Sequence, residues 1–122
     1  AIPGLKELLE AVHKASERGY VRGLDNRRIL VDSRHKSLNY LIQGSSAIIA
    51  KKWLVLANER LPEHTHQLAF VHDELQFETK KEQVEDLKFL LELTAQEAGE
   101  FYKLRCPIAA ESKSGRTWAD VH

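Results

Sequence analysis

One apolar periodicity in the middle of the chain limits the possible folds more than any other feature. Leu38, Leu41, Ile42, Ile48, Ile49, Trp53 and Leu56 recur at helical spacing, which predicts a helix of about 26 residues reaching to about Arg60. Ser33 stands where a capping serine begins such a helix, and Leu61-Pro62-Glu63-His64 breaks it. Within the helix, Gly44-Ser45-Ser46 leaves room for close approach, either by a neighbouring element packing on it or by a nucleic-acid strand.

The flanks read as alternating helices and short strand pairs. Leu5, Leu8, Leu9 and Val12 predict a one-sided helix over about 4–18, with Pro3 in its first turn and Gly19 ending it. Tyr20-Val21-Arg22 and Ile29-Leu30-Val31, separated by a Gly23-Leu24-Asp25-Asn26 turn, predict a β-hairpin. A second hairpin is expected from the β-prone runs 67–72 and 75–78, with Asp73-Glu74 as a carboxylate tip. Thr79-Lys80-Lys81-Glu82 matches a capping box, and Val84, Leu87, Leu91, Thr94, Ala95 and Ala98 form the stripe of a helix over about 82–102. Residues 107–111 are expected to form a last strand and 112–116 a loop. With no repeat, low-complexity tract or linker, the chain reads as one α+β domain, helices packed on a small antiparallel sheet with a carboxylate-tipped β-hairpin.

Composition narrows the function classes. A chain of 122 residues with 43% apolar and 30% charged side chains suits one small packed domain. Lone Cys106 excludes an internal disulfide, and its neighbours Leu104, Pro107 and Ile108 predict a small buried side chain. Without a CxxC pair, a long apolar run or a basic-then-apolar leader, the expectation is a cytoplasmic chain in a reducing compartment, with no membrane partner. Methionine is absent, so the sequence begins after a processed start, for which Ala1 is small enough, or after a cut.

The 18 basic and 18 acidic residues cancel, but they are not mixed evenly. Residues 1–66 carry 11 basic and 7 acidic side chains, and residues 67–122 the reverse. Over 18–36, Arg18, Arg22, Arg27, Arg28, Arg34 and Lys36 face only Asp25 and Asp32. That run is either a solvated hairpin or a surface that faces phosphates.

Three groups of residues are candidates for chemistry. His72-Asp73-Glu74 places two adjacent carboxylates at a hairpin tip, a pattern suited to a hard divalent cation and also ordinary in turns. His64, His66 and His72 lie close enough in sequence to suggest zinc, although loop spacing fixes no tetrahedral set and no fourth ligand stands out. Asn39 and Gln43, four apart on the long helix, present two amides on one face; such amides either meet solvent or donate to the acceptors shared by all base pairs in the minor groove.

Taken in order, GYVRGLDNRRILV (19–31), LNYLIQGSSAIIAKKW (38–53), FVHDELQFE (70–78) and the terminal TWADVH (117–122) resemble the C-terminal end of family A DNA polymerases, above all the replicative polymerases of podovirus-type bacteriophages. The resemblance covers nearly the whole chain. Its most specific part is VHDELQFE, which matches the third polymerase motif of the family.

The resemblance implies a role for each matching residue. Asp73 corresponds to the palm aspartate that ligates the two catalytic Mg2+ ions, Glu74 to a supporting carboxylate, and His72 to the histidine near the primer terminus. Asn39 and Gln43 match amides that contact primer-template DNA in the minor groove; Arg34 and His35 are candidates for contacts to the same duplex. His122 matches the terminal histidine that approaches the active site.

Nothing here matches the family's first motif, its fingers helix that holds the incoming dNTP, its thumb or its exonuclease. The chain is therefore expected to be the distal palm segment of a polymerase, as a split subunit, an encoded fragment or an excised domain. It is expected to work with a partner polypeptide in a bacterial or phage-infected cell, and to self-associate through apolar surface left uncovered. Two other readings remain from the residues: a non-catalytic DNA-binding or assembly module, and a metal-dependent hydrolase using His64, His66 and Asp73.

Overall fold

A computed structural model describes residues 2–122; Ala1 lies outside them. The chain divides into two compact units, one ending at Ile48 and the other running Ile49–His122. The boundary falls within the long helix.

The first unit opens with α1 (Leu5–Ser16), followed by the antiparallel strands β1 (Tyr20–Arg22) and β2 (Arg28–Leu30). Pro3 precedes the helix rather than lying in its first turn, because Gly4 adopts a left-handed conformation at the N-cap, φ 80°. The helix stops at Ser16 with Glu17 as its C-cap, short of the expected end at 18, and Gly19, at φ 90°, follows in the turn that leads into β1. Tyr20 pairs with Leu30, Val21 with Ile29 and Arg22 with Arg28. Alternation sends Val21 and Ile29 to one face and Tyr20, Arg22, Arg28 and Leu30 to the other. Val12, Val21 and Ile48 are the buried hydrophobic residues of this unit.

Ser33 does not cap the long helix. It is extended, and a 3-10 turn (Arg34–Lys36) comes before α2 (Ser37–Asn58). The junction is held instead by fully buried Ser37, whose Oγ donates to the Arg34 carbonyl at 2.7 Å. The open space at Gly44 is filled by the first hairpin: a Cβ there would stand 2.5 Å from Ile29 Cδ1. Close packing of a neighbouring element thus explains the small residue.

The second unit contains the end of α2, the hairpin β3 (His66–Val71) and β4 (Glu74–Glu78), a 3-10 turn (Lys81–Gln83), α3 (Val84–Phe101) and the short α4 (Trp118–Val121). The sheets among the described residues are two separate two-stranded ribbons, so the α+β reading holds with two small antiparallel sheets in place of one. Trp53 Nε1 donates to the Leu91 carbonyl at 2.9 Å, tying α2 to α3. Leu87, Thr94, Ala95 and Ala98 are buried as the stripe of α3 predicts, Val84 and Leu91 of the same stripe are half-buried, and Ala57 of α2 is buried without having been expected. Thr94 can be buried because its hydroxyl donates to the carbonyls of Leu90 and Leu91.

Three sequence expectations fail here for identifiable reasons. Thr79 makes no capping box; its hydroxyl faces that of Thr65 at 2.8 Å across the base of the hairpin, and a 3-10 turn intervenes before α3. Residues 107–111 form no strand: Pro107 lacks an amide donor, and Ile108 packs on Gly99 of α3 rather than beside a strand. Cys106 is exposed, since the chain reverses after α3 through Lys103 at φ 55° and directs Ile108, not the thiol, onto the helix.

The two helical glycines give a paired test. Alanine at Gly99 would bring a Cβ 2.6 Å from Ile108 Cγ1 and 3.0 Å from its Cβ, close to the backbone of the reversal. Alanine at Gly44 meets chiefly the tip of Ile29. Gly99→Ala is expected to lower stability by about 1–3 kcal/mol despite its gain in helix propensity. Gly44→Ala is expected to cost less, about 1 kcal/mol at most, because a side-chain tip can turn aside. Urea unfolding measures both, and the reverse ranking would contradict this packing.

Candidate active site

Antiparallel pairing of Val71 with Glu74 leaves only His72 and Asp73 to reverse the chain. The tip is therefore His72-Asp73, and Glu74 is the first residue of β4 rather than half of a two-carboxylate tip. The two-residue turns that match the twist of paired strands take positive φ at their first position, the pattern that usually selects glycine. His72 takes it at φ 55°, a conformation that costs on the order of 1–3 kcal/mol for a residue with a Cβ.

This turn separates the fates of the two carboxylates. Asp73 is exposed, and among the described residues it forms no hydrogen bond or ion pair. Glu74 is half-buried and engaged: its Oε1 lies 2.7 Å from His122 Nε2 and also accepts from Gln76 Nε2. His122 is held from its other side as well, with Nδ1 3.2 Å from the Trp118 carbonyl and its ring stacked on the Trp118 indole at 4.5 Å and 12°. Both imidazole nitrogens thus face oxygen atoms.

A short helix anchors this arrangement. Thr117 and Asp120 form a reciprocal capping box on α4, and Asp120 Oδ2 accepts from the amides of Arg116 at 2.8 Å and Thr117 at 3.0 Å. Sequence reading did not single out Gln76, Trp118 or Asp120, although the Thr117-x-x-Asp120 spacing is the pattern that finds such a cap.

In the first unit, exposed Asn39 and Gln43 meet as their spacing suggests, with Gln43 Nε2 donating to Asn39 Oδ1 at 3.0 Å. Arg34 and His35 are exposed on the 3-10 turn before α2. The zinc and hydrolase groupings are not assembled. His66 Nδ1 pairs with Glu78 at 3.2 Å, and among the described residues no three His, Cys, Asp or Glu side chains are grouped to hold a metal ion. For Mg2+, which needs near-octahedral oxygen coordination, Asp73 is the carboxylate of the pair with no partner among the described residues, and these residues do not by themselves compose a complete site.

The anchoring of His122 can be broken at a distance. A Cβ at Gly115 would overlap Asp120 Cβ. Gly115→Ala is expected to displace Asp120 from the Arg116 and Thr117 amides and to free the His122 ring. NMR of the His122 imidazole should then show lost dispersion and a faster ring; unchanged signals would contradict the anchor.

Comparison with known proteins places this geometry in a family. DNA polymerase family A matches residues 2–120. The DNA-directed DNA polymerases of Enterobacteria phage T3 and Escherichia phage T7 are each 34% identical over 119 residues, covering 87% of this chain and 16% of theirs. DNA polymerase I of Bacillus caldotenax is 35% identical over 137 residues, covering 99% of this chain and 15% of its own. The POL domain of Pol1 from M. smegmatis, solved in complex with DNA primer-template and dNTP, superposes with a TM-score of 0.74 at 27% identity, over 86% of this chain and 21% of that one. The chain thus spans about a sixth of the length of these curated relatives. With a match that runs from residue 2 to residue 120, the chain belongs to DNA polymerase family A.

Proposed function

We propose that this family A segment is a distal palm piece that takes part in DNA-directed DNA synthesis only together with a polypeptide carrying the remaining polymerase motifs. The observation that carries the reading is the separation of roles at the β3–β4 turn. Asp73 is unengaged on a reversal fixed by strand register, while Glu74 is held by His122 and Gln76. Asp73 then offers an oxygen ligand to Mg2+, with the other ligands coming from the partner, the DNA and the dNTP. When bound, the metal supplies charge neutralisation for phosphoryl transfer.

The chain's own residues have separate tasks in this reading. The β3–β4 hairpin fixes where the Asp73 carboxylate stands. His122, seated on Trp118, holds Glu74 so that it does not compete with Asp73 for the same cation. His72 lies beside the primer terminus. Asn39 and Gln43 donate from their amides to minor-groove acceptors of the primer-template duplex, which senses pairing geometry without reading sequence. Arg34 and His35 contact the same duplex.

Exposed Leu68, Phe89, Phe101 and Trp118 supply apolar surface for the partner polypeptide to cover, or for self-association in its absence. This function places the chain in the cytoplasm of a bacterium or a phage-infected host.

The test is complementation. Mixed with a polypeptide carrying the first motif and the fingers, the chain is expected to support Mg2+-dependent primer extension, and alone to support none. Asp73→Ala should lower extension by a factor on the order of 10² or more, the scale of losing a principal electrostatic element of a reacting site. Full activity of Asp73→Ala would refute the catalytic assignment. Duplex binding by the chain alone, with no extension in the complemented mixture, would instead support a non-catalytic DNA-binding module.

A further inference from the structure

The reversal after α3 leaves a space in the second unit that no side chain fills. Ile108 seats on Gly99, and residues 109–115 then make no backbone hydrogen bond among the described residues. The segment stands off β4 instead of pairing with it. Between this segment, β4, α3 and α4 lies a cavity of about 590 Å³, a size within the roughly 300–1,000 Å³ of small-molecule sites.

Two kinds of surface line it. Trp53, Phe77, Leu87, Leu91 and Trp118 form an apolar wall. Trp53 has its one donor satisfied by the Leu91 carbonyl, so its indole needs no polar partner from an occupant. Trp118 is still 52% exposed, and covering it removes aromatic surface from water.

The charged groups of the lining differ in how far they are committed. Glu74 and Glu78 are paired with His122 and His66, and Lys88 stands 4.0 Å from Glu85. Among the described residues, no hydrogen bond or ion pair engages the side chain of Lys113 or Arg116; only the backbone amide of Arg116 is used, by Asp120. Glu111 is the lining carboxylate in the same position. The uncommitted charge is therefore two cations against one anion, all on the segment 111–117.

We propose that this cavity binds a small planar aromatic compound carrying one anionic group, a carboxylate or a sulfonate. The ring system packs on the apolar wall, and the anion accepts charge-assisted hydrogen bonds from Lys113 and Arg116. Neither His72 nor Asp73 is among the lining residues, so the site is separate from the β3–β4 tip. Glu74 and Trp118 belong both to the cavity and to the clamp on His122, so an occupant meets the clamp directly. Binding needs no metal ion, DNA or partner chain.

Anilinonaphthalene sulfonate and phenylnaphthylamine share one ring system and differ by the sulfonate, which separates recognition of the anion from adhesion to apolar surface. Titrated by fluorescence into the whole chain, the sulfonate is expected to bind at one site, about tenfold more tightly than the uncharged amine. Lys113→Gln/Arg116→Gln should remove that preference. Lys14→Gln/Lys36→Gln, an equal change of charge on exposed residues of the first unit, should leave it in place.

NMR locates the bound probe. The chain has two tryptophans, and both line the cavity, so both indole N–H signals should shift along the binding curve that fluorescence gives. Any of four results would overturn the proposal: no binding of the sulfonate, equal affinity for the two probes, equal losses in the two double variants, or indole signals that stay in place at saturation.

Discussion

The structure around the candidate site depends on one constraint, the register of β3 against β4. Pairing Val71 with Glu74 leaves two residues to reverse the chain, and several local features follow. His72 adopts left-handed backbone, Asp73 is left at the tip with no partner among the described residues, and Glu74 becomes a strand residue whose carboxylate meets the C-terminal histidine. A one-residue slip would exchange these positions and put every side chain of β4 on the opposite face. The bulge between Gln67 and Ala69, which leaves Leu68 as the extra residue, adjusts the pairing further along without disturbing the tip.

Two adjacent carboxylates that look equivalent in sequence are made unequal by this register. Two ionised groups side by side repel each other and compete for one cation. Pairing Glu74 with His122 and Gln76 removes one of them from that competition and fixes its orientation. Worth little as a surface ion pair, the contact matters for placement, since it ties the chain end to β4 through the stacked Trp118 and the Asp120 cap. The opposed arginines of the first hairpin show the converse case, in which the strand register creates a repulsion that the face of Tyr20 partly offsets.

Much of the architecture was legible because it rests on periodicity. The stripe Leu87, Thr94, Ala95, Ala98 and the alternation around Val21 report burial directly, and helices and hairpins followed from them. Legibility failed where a side chain had two local options. Thr79 and Ser33 carry capping hydroxyls, yet Thr65 takes the first and a 3-10 turn displaces the second. Pro107–Glu111 has strand-like composition, but Gly99 offers Ile108 a seat on a helix. At the site, motif and resemblance named His72, Asp73, Glu74 and His122. The Thr117-x-x-Asp120 cap was there to be read, but its link to the site stayed hidden because the Glu74–His122 contact that ties α4 to β4 joins residues 48 positions apart.

Register-imposed inequality of the two carboxylates is the central claim, and it is tested most directly by comparing Asp73→Asn with Glu74→Gln in the complemented primer-extension assay as Mg2+ is titrated. The expected result is a loss for Asp73→Asn on the order of 10²-fold or more that added Mg2+ does not restore, and a loss for Glu74→Gln of about tenfold or less. Equal losses, or a larger loss for Glu74→Gln, would contradict it.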